Sequence, residues 1–61
     1  MKNKKEQILD YLETMQTAST GNIANKIKSN SYKANDYLEE LLKEKKVTRI
    51  QFGRLTFWEL K

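Results

Sequence analysis

This 61-residue chain has no cysteine, no histidine and no proline, and only two glycines, Gly21 and Gly53. Without cysteine there are no disulfides and no thiolate metal sites. Without histidine the commonest general base and the commonest metal ligand are missing. Zinc centres and Ser–His or Cys–His nucleophile systems are therefore excluded, and no cofactor is expected. No apolar run approaches the length of a membrane span. The basic start, Met1-Lys2-Asn3-Lys4-Lys5, is followed by Glu6 and Gln7 rather than an apolar stretch, so no signal peptide is expected. The chain reads as one soluble, cytoplasmic domain over residues 1–61, with no membrane association and no small-molecule ligand evident. Its core must be compact or shared with a partner, because a chain this short buries only about 60% of its unfolded surface.

What is present is charge, and it is segregated. Twelve Lys and Arg against eight Asp and Glu leave a net charge of +4. Between Thr14 and Asn35 stand Lys26, Lys28 and Lys33 with no acid. Between Lys45 and Trp58 stand Lys45, Lys46, Arg49 and Arg54, again with no acid. The acids fall in two blocks, Glu6 to Glu13 and Asp36 to Glu44, apart from Glu59. Such blocks suit a polyanionic partner better than the modest total does. The acidic pairs Glu39–Glu40 and Asp10–Glu13 imply no cleft, and an enzyme is not expected.

Hydrophobic spacing predicts three helices. The first runs from about Asn3 to Met15, with Ile8, Leu12 and Met15 on one stripe flanked by Leu9 and Tyr11. Gln16 to Ser19 reads as a weakening helical stretch. The second helix is capped by Ser19 or Thr20, buries Ile23, Ala24 and Ile27, and ends near Lys28. Asn30 is the residue expected to take a left-handed turn conformation. The third is capped by Ser31 and runs to Glu44 or Lys45. Leu38, Ala34, Leu41 and Leu42 form its buried face, with Asn35 near the edge of that face.

After Lys46 the chain becomes β-branched and aromatic around Gly53, which predicts a hairpin. A two-residue Gly53-Arg54 turn places Ile50, Phe52, Leu55 and Phe57 on one face and Val47, Trp58 and Leu60 on the other. A three-residue loop instead groups Ile50 with Trp58 and Leu60. Under either register some large apolar groups stay outside the core and are available to a partner.

Helix, capped short helix, turn, longer helix and hairpin together resemble the α+β winged helix-turn-helix, three helices followed by a two-stranded β-hairpin wing. Thr20-Gly21-Asn22-Ile23-Ala24-Asn25-Lys26-Ile27 resembles the second helix of that family. Leu38 to Val47 resembles its third-helix exit, and Trp58-Glu59-Leu60 the closing strand. The segment Ser31 to Leu42 is similar to small archaeal winged-helix transcriptional regulators. Lys45 stands where many relatives have glycine, so a non-glycine residue must make that turn. Asn35, Leu38, Leu41 and Trp58 also resemble winged helices that bind left-handed Z-form nucleic acid. That family needs a tyrosine where Glu39 stands and prolines in the wing, so this narrower reading is set aside.

The resemblance implies a DNA-binding, nucleoid-associated transcriptional regulator acting on double-stranded DNA. The few phosphate contacts of one small domain, with the apolar excess on helix one or the hairpin, point to a homodimer. The N-terminal half of helix three would enter the major groove. Ser29, Ser31, Tyr32, Lys33 and Asp36 would then face the DNA, with Asn35 at the edge. Lys26, Lys28 and the start of helix two at Thr20 would meet phosphates. Arg49 and Arg54 would serve the wing, and Trp58 would close the core. The alternative is a winged-helix protein-interaction module that never meets nucleic acid.

Overall fold

The computed structural model describes residues 3–61. Its elements are α1 (Lys4–Met15), β1 (Thr17–Ser19), α2 (Thr20–Lys26), α3 (Ser31–Lys43), β2 (Val47–Phe52) and β3 (Leu55–Leu60). The three strands form one antiparallel sheet in the order β1-β3-β2. This is the winged helix-turn-helix arrangement, with three helices and a two-stranded wing, plus one short strand.

That strand corrects the sequence reading of residues 16–19. The helix does not fade there. It is stopped at Gln16, whose φ of 69° and ψ of −55° reverse the chain while its N–H still bonds to Leu12 O at 2.7 Å. Thr17, Ala18 and Ser19 then pair with Glu59, Trp58 and Phe57. Three residues with no apolar alternation carry little strand signal of their own. The free edge of β3 recruits them.

The loops between helices differ from expectation in a consistent way. Asn30 caps α3, its Oδ1 accepting from Lys33 N–H at 2.8 Å, and Ser31 is the first helical residue. The left-handed residue is Lys28 (φ 56°), two positions earlier, and α2 ends at Lys26. Ser29 N–H reaches back to Ala24 O at 2.9 Å and Lys28 N–H to Asn25 O at 3.2 Å. The exit of α3 repeats the pattern. Lys45 (φ 62°) donates to Leu42 O and Lys46 to Leu41 O, both at 3.0 Å. Both ends are Schellman motifs, in which a left-handed residue lets the last carbonyls be satisfied. Each uses lysine where glycine is common, and the cation is well placed beside the negative end of the helix dipole.

The core is built from all six elements. Ile8 and Leu12 come from α1, Ile23 and Ala24 from α2 with Ile27 at its end, and Ala34, Leu38 and Leu41 from α3. The sheet contributes Ala18, Val47 and Trp58. Each fully buried aliphatic or aromatic side chain contributes about 1.5–3 kcal/mol of transfer free energy. Ala24 and Ala34 are the small residues that allow α2 and α3 to pack closely. Met15, expected on the buried stripe of α1, is instead 53% exposed, at the last residue of the helix.

Trp58 is fully buried, and its Nε1–H donates to Thr20 Oγ1 at 2.8 Å. The small Ala18 lies opposite it on β1 and leaves room for the indole. On the surface, Lys5 Nζ meets Glu44 Oε2 at 2.5 Å and ties α1 to the end of α3. The hydrogen bond from Lys5 holds the Glu44 carboxyl below its usual range, and the same bond raises Lys5. A depressed carboxylate contributes above its unfolded pKa, and that contribution is lost as pH falls through its folded value.

Thr20→Val keeps the shape of the side chain but leaves a buried indole N–H without an acceptor. We expect a loss of about 1–3 kcal/mol in urea unfolding. Lys45→Gly should raise stability by about 0.5–1 kcal/mol, because a β-carbon disfavours the left-handed region by more than glycine's extra chain entropy costs. An unchanged or lower thermal midpoint for Lys45→Gly would remove the strain argument.

Candidate nucleic-acid interface

α3 presents three distinct sides. Ala34, Leu38 and Leu41 point into the core. Tyr37, half-buried, and Glu44 lie on the shoulder toward α1, where Lys5 waits. The remaining side carries Tyr32, Asn35, Asp36 and Glu39, spaced i, i+3, i+4 and i+7, which superimposes them on one helix face. Tyr32 is 85% exposed, and Asn35 and Asp36 are also exposed. Asn35 is thus further from the core than its sequence position implied.

The second shoulder meets the wing. Arg49 Nη1 lies 3.7 Å from Glu39 Oε1, both side chains being about half in solvent at 52% and 42% exposure. Arg49 sits on the same sheet face as Trp58, its direct partner in the ladder, which aims its side chain toward α3. This pair was not foreseen, although the i+7 spacing from Tyr32 to Glu39 was available as a signal. The wing residue reached Glu39 only through the strand register.

The other candidate residues divide by element. Lys26 ends α2 exposed, its ammonium 5.9 Å from the centre of the Tyr11 ring. Lys28 holds the left-handed position in the turn, and Ser29 follows it half-buried. Ser31 is exposed on the first turn of α3. The first N–H groups of such a helix lack intrahelical partners, and Asn30 takes the third. Lys33 is exposed but lies about 110° around the helix from the centre of the Tyr32–Glu39 face, toward the α1 shoulder. Arg54 stands exposed at the hairpin tip beside Gly53, whose φ of 63° makes the two-residue turn. Thr20 is half-buried at the start of α2, and its hydroxyl accepts from Trp58. Ser19 Oγ, the actual cap, accepts from Asn22 N–H at 3.2 Å.

The charged candidate residues come from several elements. Asp36 and Glu39 lie on the exposed face of α3. Lys26 and Lys28 come from α2 and its turn, Lys33 from the first turns of α3, and Arg49 and Arg54 from the wing. Among the described residues no group of acids is arranged to hold a metal ion. No helix among them is long and apolar enough to cross a membrane.

Residues 4–61 match the family model described as FaeA-like protein. The chain belongs to the FaeA-like family. No curated protein matches it. Solved structures do. The Zalpha domain of Carassius auratus PKZ in complex with Z-DNA is similar with a TM-score of 0.86 at 21% identity, over 95% of this chain and 92% of that one. Wild-type Lactococcus lactis ZitR in complex with DNA gives 0.84 at 22% over 100% of this chain and 43% of that one. The adhesin competence repressor AdcR of Streptococcus pyogenes gives 0.87 at 20%, over 100% and 47%. This FaeA-like chain thus matches nearly a whole Zalpha domain but spans less than half of ZitR or AdcR. At these identities the likeness is one of fold.

Glu39→Gln should leave thermal stability within about 0.5 kcal/mol, as expected for a half-exposed ion pair. It should also leave Arg49 free to engage an anion. A larger loss would mean that the pair holds the wing against α3.

Proposed function

We propose that this FaeA-like chain binds double-stranded DNA as a transcriptional regulator, with the N-terminal half of α3 in the major groove and the wing beside it. The observation that carries this reading is the exposed Tyr32–Asn35–Asp36 face, flanked at its two ends by cations from separate elements. Lys26, Lys28, Ser29 and Ser31 contact phosphates and set the register. Asn35 and Asp36 meet base edges, where a carboxylate accepts from a cytosine amino group. Tyr32 offers its hydroxyl to a phosphate, and Lys33 approaches the backbone from the α1 side. Arg54 follows the groove next to the one that α3 enters, with Arg49 behind it. Thr20 contributes through the first turn of α2.

Charge on the face itself argues for selectivity over strength. Asp36 and Glu39 oppose phosphates, so α3 cannot lie along the backbone, and affinity comes from these cations. So few phosphate contacts per copy favour a homodimer on two half-sites. The face of α1 around Tyr11 and the exposed Met15 is the surface we assign to it. ZitR was solved in complex with DNA, and PKZ Zalpha with Z-DNA, which supports the reading by fold. The same two acids favour a second reading, a winged helix that docks on a basic protein surface.

Fluorescence anisotropy with random-sequence duplex across a salt series separates the two readings. We expect log K to fall linearly with log salt, and Arg54→Ala or Lys28→Ala to lower the slope by about one each. Asp36→Ala should relax sequence preference without changing the slope. Absent or salt-insensitive binding would support the protein-docking reading instead.

A further inference from the structure

Phe52 and Leu55 face one another directly across the Gly53–Arg54 turn and are 74% and 57% exposed. They continue an apolar row begun by Ile50 and Phe57, on the sheet face opposite Val47 and Trp58. The core needs none of this row at its outer end. β1 pairs only with Phe57, Trp58 and Glu59, so the hairpin beyond Phe57 has no third strand. The molecule is also longer in one direction, 35 Å against 22 and 21 Å. The tip is also braced. Gln51 Nε2–H donates to Gly53 O at 3.0 Å, and Thr56 Oγ1–H donates to Gln51 Oε1 at 3.1 Å, both from the face opposite Phe52 and Leu55. Two large apolar groups thus stand exposed at the hairpin tip, beyond the reach of the third strand.

A second copy of the chain is a poor occupant for this patch. Two such side chains offer roughly 250 Å² per copy, far below the roughly 800 Å² per partner of a stable interface. The charge around the patch points elsewhere. No acid occurs from Lys45 to Trp58, and Arg54 sits between the two apolar residues in the turn. An apolar pair with a guanidinium at its apex fits the minor groove of DNA. There the narrow, negative groove attracts arginine, and apolar side chains insert between base steps. The groove, about 6 Å wide in B-form duplex, admits side chains and excludes a whole hairpin, so only tip residues enter.

We propose that Phe52 and Leu55 form a wedge that enters the minor groove with Arg54 and partly unstacks one base step of duplex DNA. This rests on the DNA-binding reading above and adds a deformation to it. The step involved is pyrimidine–purine, TA or CA/TG, because those unstack most easily.

The test uses short duplexes with 2-aminopurine at a central TA step, read by base fluorescence and by anisotropy in the same low-salt samples. The wild-type chain should raise 2-aminopurine fluorescence several-fold at saturation. Phe52→Ser with Leu55→Ser should abolish that rise while binding within about threefold of wild type, since the phosphate contacts persist. Phe52→Leu, which keeps a wedge, should retain the rise. Wild-type binding without a fluorescence change overturns the wedge and leaves DNA binding intact. A double variant that still unstacks the step overturns it as well, as does a wild-type dimer that the double variant turns into monomer in sedimentation. No anisotropy change with any duplex overturns the DNA-binding reading itself, and the wedge with it.

Discussion

The indole of Trp58 is the contact on which the rest of the architecture depends. It is the largest side chain in the core, it belongs to the middle strand, and its only polar atom is anchored on the first residue of α2. A buried N–H must find an acceptor or cost about as much as a lost hydrogen bond. Here the acceptor sets where the helix-turn-helix begins relative to the sheet. β1 then follows almost of necessity. Ser19 must cap α2 next to Thr20, so the residues before it run beside β3, where Ala18 is small enough to face the indole. A single hydrogen bond thus couples the wing's inner strand to the helix pair that presents α3.

That coupling fixes the exposed face of α3 relative to the wing. α3 is held by its apolar ridge against α2 and the sheet, and by Lys5 and Glu44 against α1. The wing is held by the Trp58 face of the same sheet, and Arg49 lies beside Glu39 across a solvent-exposed gap of 3.7 Å. The surface between them is polar, acidic at its centre and cationic at its margins. On the proposed DNA-binding reading, such a distribution would place attraction for a polyanion at the edges and discrimination at the middle. An acidic centre repels phosphates and tolerates only groups that donate hydrogen bonds.

The lysines in the two left-handed turns carry two duties in one position. Lys28 and Lys45 each close a helix terminus that glycine would close with less strain, and each supplies a cation at the negative end of a helix. At Lys28 this puts charge into the turn of the helix-turn-helix, beside the first residues of α3. Asn30 was the better candidate for a left-handed conformation from propensity alone. It is instead needed two residues later as a cap, where its side-chain oxygen meets Lys33 N–H. Local preference identified the right loop, and competition between two uses of asparagine misassigned the residue.

The periodicity of Ile8, Leu12, Ile23, Ile27, Leu38 and Leu41, and the β-branched run around Gly53, were enough to define three helices and a hairpin. They depend on covalent geometry and burial, which act on each segment separately. The strand at Thr17–Ser19 was not legible, because three polar or small residues become a strand only when a free edge lies beside them. The Glu39–Arg49 contact was hidden for a related reason, since it joins residues on different elements. Composition alone determined that the chain offers no thiol or imidazole chemistry and carries acid-free basic stretches. Only the tertiary structure decided which side of the hairpin is core. Side chains alternate with a period of two, so the two-residue turn that pairs Phe52 with Leu55 assigns every residue of the wing to a face at once. It turned Trp58 inward, Arg49 toward α3, and Phe52 and Leu55 out to solvent.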